Sequence, residues 1–334
     1  MKHGKWIAWA FGACLFLFTV YAALDTFVLT RVYQTVEVTA AGTMSSNAGT
    51  DAEEAESETA ETLSSGKSRK SASSSAETAA GGVTLTSDRT ASVTATSYND
   101  GNIQISLSTY RAYDTAIYVA DVQLASAEYL KTAFAQNAYG RNVTATTSDT
   151  AEQAGAILAV NGDYYGAQES GYVLRNGVLY RDTAKKNQED LVIYADGSFE
   201  IITEAEVSAQ ELLEKGAVQI LSFGPALVID GEIAVEEDEE VGKAMASNPR
   251  TAVAVVDELH YLFIVSDGRT DESEGLSLRQ LAEFAASLGA ETVYNLDGGG
   301  SSAMVFNGAL INNPTTSGNS IKERKVSDIV YIGY

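Results

Sequence analysis

The stretch TVYNLDGGGSS, residues 292–302, gives the strongest indication of the fold in this chain of 334 residues. Its first half is an apolar run typical of a buried strand. It follows a predicted helix that begins at a capping box, Ser277 with Gln280, and stops at Gly289. Its second half has three consecutive glycines, which let the backbone adopt positive φ and approach a ligand closely. The stretch therefore predicts a helix, a buried strand and a polar turn in succession.

Short apolar runs with turn dipeptides between them recur on both sides of this stretch, as two-residue hairpin turns require. The dipeptides are Asn176-Gly177, Asp196-Gly197, Asp230-Gly231 and Asn307-Gly308. A second capping box, Ser208 with Glu211, predicts another helix, and a third helix is predicted from Ser126 through Phe134. Strands and helices alternate irregularly. We therefore predict an α+β fold: a mixed, strand-rich single domain with a large sheet and a few packed helices.

The N-terminal part, residues 1–30, has the composition of a membrane anchor. Trp6 to Leu24 carries no charge and follows Lys2 and Lys5, which predicts a single-pass transmembrane helix with the rest of the chain outside the cell. The alternative is a cleaved signal peptide and a secreted protein, because Val20-Tyr21-Ala22 offers small residues at suitable cleavage positions. In both cases the main domain is predicted to be extracellular.

The next part, residues 31–85, is predicted to be a disordered linker. From Thr39 to Gly82 the chain is rich in Ala, Ser, Thr, Glu and Gly and has no aromatic residue. Such a segment cannot bury enough apolar surface to offset the entropy lost on ordering. Residues 86–334 remain, and this length suffices for one large domain with its own core.

The composition excludes several classes of function. Cys14 is the single cysteine and the chain has two histidines, which argues against intramolecular disulfides, cysteine zinc sites and histidine-rich metal sites. The net charge is −23, and from Thr86 onward 16 basic and 36 acidic residues give −20. This acidity argues against nucleic-acid binding, which needs Lys and Arg to neutralise phosphates. An anionic substrate would need a local cationic pocket.

Polar residues next to predicted strands are the candidates for chemistry. Asn161-Gly162-Asp163-Tyr164-Tyr165 follows an apolar run, and Asn248-Pro249-Arg250-Thr251 precedes one. The guanidinium of Arg250 suits an anion clamp, because its forked donors match phosphate or carboxylate. Asp267-Gly268-Arg269 closes another predicted strand and supplies a carboxylate and a second cation. The stretches at Asn161 and Asp267 are also compatible with ordinary turns, and Arg250 with a surface ion pair to the acidic run Glu236 to Glu240.

No cofactor is required by these residues, and a divalent cation stays open. The acidic run Glu236 to Glu240 is interpreted as a solvated loop. A calcium site is the alternative, but five consecutive acids lack the spaced oxygen ligands of an EF-hand loop. The metal content is therefore unassigned.

Taken in order, the motifs resemble those of the phosphodiester glycosidase family, over about Tyr113 to the C-terminus. The matching pieces are Ala159 to Tyr165, Phe223-Gly224-Pro225-Ala226-Leu227-Val228, Arg250-Thr251-Ala252-Val253, Ser266-Asp267-Gly268-Arg269 and Asn295 to Ser302. The resemblance implies hydrolysis of a sugar 1-phosphodiester at the anomeric carbon, with a carbohydrate phosphodiester of the cell envelope or an exopolysaccharide as the substrate.

That chemistry needs a carboxylate beside the anomeric carbon, as nucleophile or as base for water, and cations where the charge of the leaving phosphate develops. The predicted catalytic residues are Asp297, Asp163 and Asp267. The predicted substrate- and phosphate-binding residues are Asn161, Tyr164, Arg250, Thr251, Arg269, Asn295, Gly298, Gly299, Gly300 and Ser301. Two alternatives remain open: a non-catalytic module that binds anionic glycan, and an assembly protein for exopolysaccharide export.

Overall fold

The structure is a computed structural model that describes residues 2–38, 44–47, 91–236, 247–316 and 320–334. The helices in these parts are α1 (Lys2–Phe27), α2 (Thr147–Ala154), α3 (Ala209–Glu214) and α4 (Leu278–Ser287). The first strands are β1 (Arg31–Val38), β2 (Met44–Asn47), β3 (Ser92–Val93), β4 (Ser97–Asn99), β5 (Ile103–Ala112), β6 (Thr115–Leu124), β7 (Leu130–Phe134) and β8 (Ala138–Arg141). They are followed by β9 (Leu158–Asn161), β10 (Val173–Arg175), β11 (Val178–Arg181), β12 (Glu189–Tyr194), β13 (Phe199–Thr203), β14 (Ala217–Leu221) and β15 (Ala226–Ile229). The last are β16 (Glu232–Ile233), β17 (Thr251–Asp257), β18 (His260–Ser266), β19 (Thr292–Leu296), β20 (Met304–Phe306), β21 (Ala309–Leu310) and β22 (Asp328–Ile332).

A nine-stranded sheet forms the centre of the fold, with the strand order β16-β15-β19-β17-β18-β6-β5-β4-β3. Two five-stranded sheets, β11-β10-β14-β12-β13 and β21-β20-β9-β22-β7, share the main hydrophobic core with one of its faces. Helix α4 covers the other face and contacts β15, β16 and β19. Its Leu281 and Phe284 belong to the same buried cluster as Leu262 and Ile264 of β18. Because successive side chains of a strand point to opposite faces of the sheet, the nine-stranded sheet contributes to two hydrophobic cores, one on each face. The predicted strand-rich α+β fold is confirmed.

The four predicted turns all connect neighbouring antiparallel strands. Asn176, Asp230 and Asn307 have positive φ, as do the glycines that follow them, and this is the backbone of a type I′ turn. Asp196-Gly197 joins β12 to β13, but here the positive φ is at Gly197. The loop from 195 to 198 is longer than two residues, so its turn is of another type.

The predicted helices α3 and α4 are confirmed, with both capping boxes formed. The helix predicted from Ser126 through Phe134 is wrong: a single 3-10 turn, Ala127–Tyr129, is followed by strand β7. Every second residue of β7 is buried, and one of these is Thr132, whose polar side chain conceals the period of two in the sequence. Helix α2 was not predicted; Thr146 caps it by accepting a hydrogen bond from the amide of Asp149.

The segment predicted to span a membrane is helical, as α1. Among the residues that the structure describes, however, no helix combines the length and the hydropathy that a membrane span needs. The predicted single-pass anchor is therefore not supported by the structure.

Strand β1 lies in the stretch predicted to be a linker, and it pairs antiparallel with β8. Val36 of β1 is buried beside Phe134 and Tyr139, so the pairing also adds apolar contacts. Strand β2 extends the same sheet. The remainder of the predicted linker lies outside the described residues, as does the acidic run after Glu236. The boundaries between the three predicted parts stay predictions.

Two carboxyl groups lie together in the interior of the β12 sheet. Asp190 is fully buried, and Glu204 beside it accepts hydrogen bonds from the amide of Tyr172 at 2.8 Å and the hydroxyl of Ser222 at 3.0 Å. Burial first, and then the charge of Glu204, raises the pKa of Asp190 well above the ordinary aspartate value. We therefore interpret Asp190 as the protonated partner of the pair.

We predict that Asp190→Asn stabilises the protein above neutral pH by about 1–3 kcal/mol. The unfolded chain releases the proton of Asp190 near pH 4, whereas the folded chain retains it. The contribution of Asp190 to stability is therefore present below pH 4 and is lost as the pH rises toward its raised pKa. Urea unfolding between pH 4 and pH 8 measures this, with the exposed Asp182→Asn as control. A gain that is independent of pH, or a loss at pH 8, would contradict the prediction.

Candidate active site

A pocket of about 160 Å³ lies at one end of the central strands β18, β17 and β19. Thr251, the first residue of β17, pairs with Leu296, the last residue of β19, and with Val265 near the end of β18. Because antiparallel neighbours place the start of one strand beside the ends of the others, the segments around residues 250, 267 and 297 meet at this edge. The pocket is lined by Phe223, Asn248, Arg250, Arg269, Leu296, Asp297, Gly298, Gly299 and Arg324.

Asp297 lies in this pocket, and two hydrogen bonds to its backbone hold it in place. The side-chain amide of Asn161 donates to the Asp297 carbonyl at 2.6 Å, and the Asp297 amide donates to the Gly162 carbonyl at 3.2 Å. Burial raises the pKa of the Asp297 carboxyl, although Ser301, Arg324 and the Gly298 amide oppose that rise. Asp297 is thus a fixed carboxyl group in a cationic pocket.

Three arginines line the pocket together with Asp297. Arg250 is buried, and its Nε donates to the Leu276 carbonyl at 2.9 Å. Arg269 donates from Nε and Nη2 to Oδ1 of Asn248 at 3.1 and 2.9 Å, which fixes the plane of its guanidinium. Burial and the nearby charge of Arg324 lower the pKa of Arg269. Since like charges repel, this convergence favours an anion bound between them.

Sequence reasoning did not select Arg324. Its backbone amide donates to the Gly300 carbonyl at 3.1 Å, and this bond attaches the segment after residue 320 to the glycine turn. The available signal was the run Lys322 to Lys325, which has three cations in a strongly acidic domain. No strand or turn pattern connects that run to the pocket, so the sequence alone does not point to it.

The three glycines let the turn pack closely rather than leaving every amide free. The Gly299 amide donates to the Pro249 carbonyl at 2.8 Å, so it is already engaged. Gly299 has φ of +63°, and a Cβ there would lie 2.8 Å from Nη2 of Arg269. At Gly298 a Cβ would lie 2.9 Å from the Pro249 carbonyl oxygen. The turn therefore brings Asp297, Arg250 and Arg269 together, and Gly300 does not line the pocket.

Asp163 lies outside the pocket lining, in a buried ion network. It accepts hydrogen bonds from Nη2 of Arg175 at 2.8 Å and from the Ser222 amide at 2.7 Å. Arg175 also donates from Nε and Nη2 to Asp328, at 3.1 and 2.8 Å. The side chains of Arg175, Asp163 and Asp328 are at most 2% exposed. These contacts favour a structural role for Asp163.

Arg175 and Asp328 were missed by sequence reasoning, because neither stands out from the strand in which it lies. Burial, and next the charge of Asp163, raise the pKa of Asp328 to about 7. The two carboxylates raise the pKa of Arg175, against the effect of its burial. Two acids thus share a single buried guanidinium.

Asp267 also lies outside the pocket lining, and its carboxylate is fully engaged. It accepts from the Tyr118 hydroxyl at 3.1 Å, from Asn312 at 3.3 Å, and from the amide and side chain of Asn313 at 2.8 and 3.1 Å. These four bonds fix the loop after β21 to the end of β18. Asp267 is therefore placed as an anchor of that loop.

The remaining predicted binding residues lie around the pocket rather than in it. Thr251 is buried and donates to Oδ1 of Asn161 at 2.8 Å, and Asn295 donates to the Gly224 carbonyl at 2.8 Å. Tyr164 is partly exposed in a left-handed turn and is absent from the pocket lining. Ser301 is buried and is absent from the pocket lining. The structure thus brings together Asp297, Arg250, Arg269, Gly298 and Gly299 of the predicted set.

Within the described ranges, no group of three or more His, Cys, Asp or Glu side chains is arranged to hold a metal ion. The pocket lining contains Asp297 as its one carboxylate among the described residues. The participation of a divalent cation stays a prediction.

Comparison with solved structures gives the same fold. The chain superposes on the catalytic domain of zebrafish N-acetylglucosamine-1-phosphodiester alpha-N-acetylglucosaminidase auto-inhibited by pro-peptide, with a TM-score of 0.56 and 22% identity. The match covers 70% of this chain and 83% of the zebrafish chain. A hypothetical protein from Synechocystis matches with a TM-score of 0.50 and 14% identity, over 69% of this chain and 62% of that one. At these identities the likeness concerns the fold alone.

Several curated proteins are similar in sequence, among them the following two. N-acetylglucosamine-1-phosphodiester alpha-N-acetylglucosaminidase of Mus musculus is 31% identical over 188 residues, which cover 51% of this chain and 36% of the mouse protein. An SPbeta prophage-derived uncharacterized protein of Bacillus subtilis (strain 168), YomE, is 27% identical over 201 residues, which cover 59% of this chain and 31% of that protein. The chain therefore spans about a third of the length of these relatives.

The family model of the phosphodiester glycosidases matches residues 154–333, more than half of the chain. This range includes Asp297 and the three arginines of the pocket, together with the buried ion network. The chain belongs to the phosphodiester glycosidase family.

Proposed function

We propose that this protein hydrolyses a sugar 1-phosphodiester at the anomeric carbon and releases a free sugar and a phosphomonoester. The observation that carries the proposal is that Arg250, Arg269 and Arg324 line one pocket together with a single carboxyl group, that of Asp297. The chain from Thr86 onward has a net charge of −20. Three cations in one pocket therefore make the electrostatic potential there positive, although the domain as a whole is negatively charged. A phosphodiester is the substrate class that such a pocket suits.

In the proposed reaction, the bond between the anomeric carbon and the phosphate oxygen breaks, and its electron pair leaves with the phosphate. Water supplies the hydroxyl of the free sugar and the proton that is released. Asp297 would act at the anomeric carbon, as nucleophile or as base for that water. The arginines would neutralise the charge that develops on the leaving phosphate.

The pocket lining explains how one carboxylate could suffice. Most glycosidases pair a second carboxylic acid with the first in order to protonate a poor leaving group. Asp163 and Asp267 are poorly placed to act as this second acid, because hydrogen bonds from other residues occupy their carboxylate oxygens. The departing phosphomonoester anion is a much weaker base than a sugar alkoxide, so cationic stabilisation by arginine can replace the acid.

The source of the substrate is the finer part of the proposal. We propose a carbohydrate phosphodiester of the cell envelope or an exopolysaccharide, encountered outside the cell. The support is the apolar N-terminal segment behind Lys2 and Lys5, which is typical of exported proteins. The relatives of this chain named for an activity are N-acetylglucosamine-1-phosphodiester alpha-N-acetylglucosaminidases, so N-acetylglucosamine is the first sugar to test.

The direct test is incubation of the full chain with diesters of N-acetylglucosamine 1-phosphate and of other sugar 1-phosphates, with the released sugar as the readout. Arg324→Gln is expected to lower kcat/KM by about 100-fold, because it removes one cation from the leaving phosphate while the fold is retained. Arg111→Gln is the control, since Arg111 is exposed on β5 and is absent from the lining of the pocket around Asp297.

Absence of turnover in the unaltered protein for every sugar would overturn the proposal. Binding of the diesters without product would instead favour the non-catalytic glycan-binding alternative. Full activity of Arg324→Gln would remove Arg324 from the phosphate site while leaving the hydrolysis itself established.

A further inference from the structure

Arg324 is held at the pocket around Asp297 in a different way from the other two arginines. Arg250 and Arg269 are fixed by hydrogen bonds that their own guanidinium groups donate. Arg324 is exposed and lies in the irregular segment 322–325, where its backbone amide donates to the Gly300 carbonyl at 3.1 Å. The direction of its side chain therefore depends on how this segment is held.

The guanidinium of Arg324 lies close to the glycine turn. A Cβ added at Gly300 would lie 3.1 Å from Nη2 of Arg324. Burial raises the pKa of Asp297, and the charge of Arg324 opposes that rise. Arg324 thus acts on the carboxyl group of the pocket from the side of the glycine turn, and a displaced guanidinium would lose this position.

The residue before Arg324, Glu323, is attached to helix α2. Oε1 of Glu323 accepts a hydrogen bond from the Ser148 amide at 3.1 Å, and Oε2 accepts one from the Ser148 hydroxyl at 2.7 Å. Ser148 is the second residue of α2, so its amide is one of those that have no partner inside the helix. A carboxylate at the start of a helix is also favoured by the helix dipole. Both oxygens of Glu323 are therefore fixed.

Backbone hydrogen bonds hold the segment on both sides of this contact. The Lys322 amide donates to the Pro314 carbonyl at 2.7 Å, and Val326 and Ala145 exchange two bonds, at 2.8 and 3.1 Å. Between these two points, the side chain of Glu323 attaches the segment to α2. Glu323 is thus placed to decide the direction of the side chain that follows it.

We propose that Glu323 is a positioning residue, which holds the Arg324 guanidinium in the pocket through its contact with Ser148. The inference rests on the proposed function, in which Arg324 stabilises the charge of the leaving phosphate. Without the contact, the segment can rotate between its flanking backbone bonds and carry the guanidinium away from the phosphate. A displacement of about 1 Å can lower the rate of an enzyme by as much as about 100-fold.

The charge of Glu323 alone predicts the opposite effect. Removal of an acid beside a cationic pocket should strengthen the binding of an anion. Glu323→Ala removes both the charge and the contact. Glu323→Gln removes the charge, but glutamine can still accept from the Ser148 amide and donate to its hydroxyl. A loss in the alanine variant that the glutamine variant avoids is therefore assigned to the contact.

The experiment measures kcat/KM of the full chain for a sugar 1-phosphodiester in a double-mutant cycle. Glu323→Ala should lower kcat/KM about tenfold, whereas Glu323→Gln should retain most of the activity. In the Arg324→Gln background, Glu323→Ala should cause no further loss, because the guanidinium that it positions is absent. Glu152→Ala is the matched control and should change nothing, since Glu152 is an exposed acid of the same helix α2.

Isothermal calorimetry with inorganic phosphate gives a readout that does not need turnover. Glu323→Ala and Arg324→Gln should each weaken phosphate binding, and the double variant should bind as Arg324→Gln does. With this result, absence of turnover would overturn the proposed function but not the positioning of Arg324. Ser148→Ala removes one of the two bonds to Glu323 and should give a smaller loss of the same kind, so it replaces Glu323→Ala if that variant does not fold.

The inference is overturned if folded Glu323→Ala has the activity and the phosphate affinity of the unaltered protein, or if Glu323→Gln loses as much as Glu323→Ala. It is also overturned if the losses from Glu323→Ala and Arg324→Gln add, because Glu323 would then act on something other than Arg324. An unaltered protein that neither turns over a diester nor binds phosphate would overturn this inference together with the proposed function. Circular dichroism verifies that each variant is folded at the assay temperature.

Discussion

Asp297→Asn is expected to lower kcat for a sugar 1-phosphodiester by about 10²–10⁴-fold, with little change in stability. Asparagine keeps the shape of the side chain but can neither attack the anomeric carbon nor accept a proton from water. Two contacts that hold Asp297 involve its backbone carbonyl and amide, which the substitution leaves in place. The measurement is steady-state kinetics on the folded variant, with circular dichroism to verify the fold.

The pH dependence of the unaltered enzyme gives an independent check on Asp297. Its pKa is raised, chiefly by burial, and the proposed role needs the ionised form. Activity should therefore fall on the acid side at a higher pH than the ordinary aspartate value of about 3.9. Asp271→Asn, an exposed site near Arg269, should leave this acid limb unchanged. An Asp297→Asn variant with more than a tenth of normal activity would assign the chemistry to another group.

Arg175→Met is expected to reduce the free energy of unfolding by about 3–5 kcal/mol at pH 7. The substitution leaves the carboxylates of Asp163 and Asp328 buried, close together and without their shared cation. Urea or guanidinium unfolding measures the loss. Arg279→Met is the matched control: the pair of Arg279 with Glu283 is partly exposed, so its removal should cost at most about 1 kcal/mol.

The loss in Arg175→Met should depend on pH and should be reversible by further substitution. Burial, and next the charge of Asp163, raise the pKa of Asp328 to about 7, so protonation of Asp328 removes one buried charge and the deficit should be smaller at pH 5 than at pH 8. Adding Asp163→Asn and Asp328→Asn should restore part of the stability, because no unpaired charge then remains. A deficit that is equal at both pH values would show that packing, rather than charge, makes Arg175 necessary.

The sequence predicted those elements whose signals are local. The capping boxes at Ser208 and Ser277 and the turns at Asn176, Asp230 and Asn307 are each decided by a few neighbouring residues, and all were found. Strand β7 was missed because its inward-facing residues include Thr132, which donates to Gln219 in a neighbouring sheet. That contact spans 87 residues, so no local pattern reports it.

The site was predictable to the extent that its residues lie next to strand ends. Asp297, Arg250 and Arg269 follow or precede buried strands, and the antiparallel order of β18, β17 and β19 brings them together. Asp163 occupies an equivalent position in the sequence. However, its partner Arg175 is in the middle of an unremarkable segment, and only the fold shows that they pair. Arg324 reaches the pocket from an irregular segment for the same reason.

The pairing of β1 with β8 has a practical consequence for shortened forms of this protein. In the described sheet β8 has β1 as its one neighbour, so a chain that starts at Thr86 would leave both edges of β8 without a partner. The amides and carbonyls of β8 would then be unpaired, and the ring of Tyr139 would be exposed. Such an edge can pair with a strand of a second molecule and so promote aggregation. Retaining Arg31–Val38 keeps that edge covered.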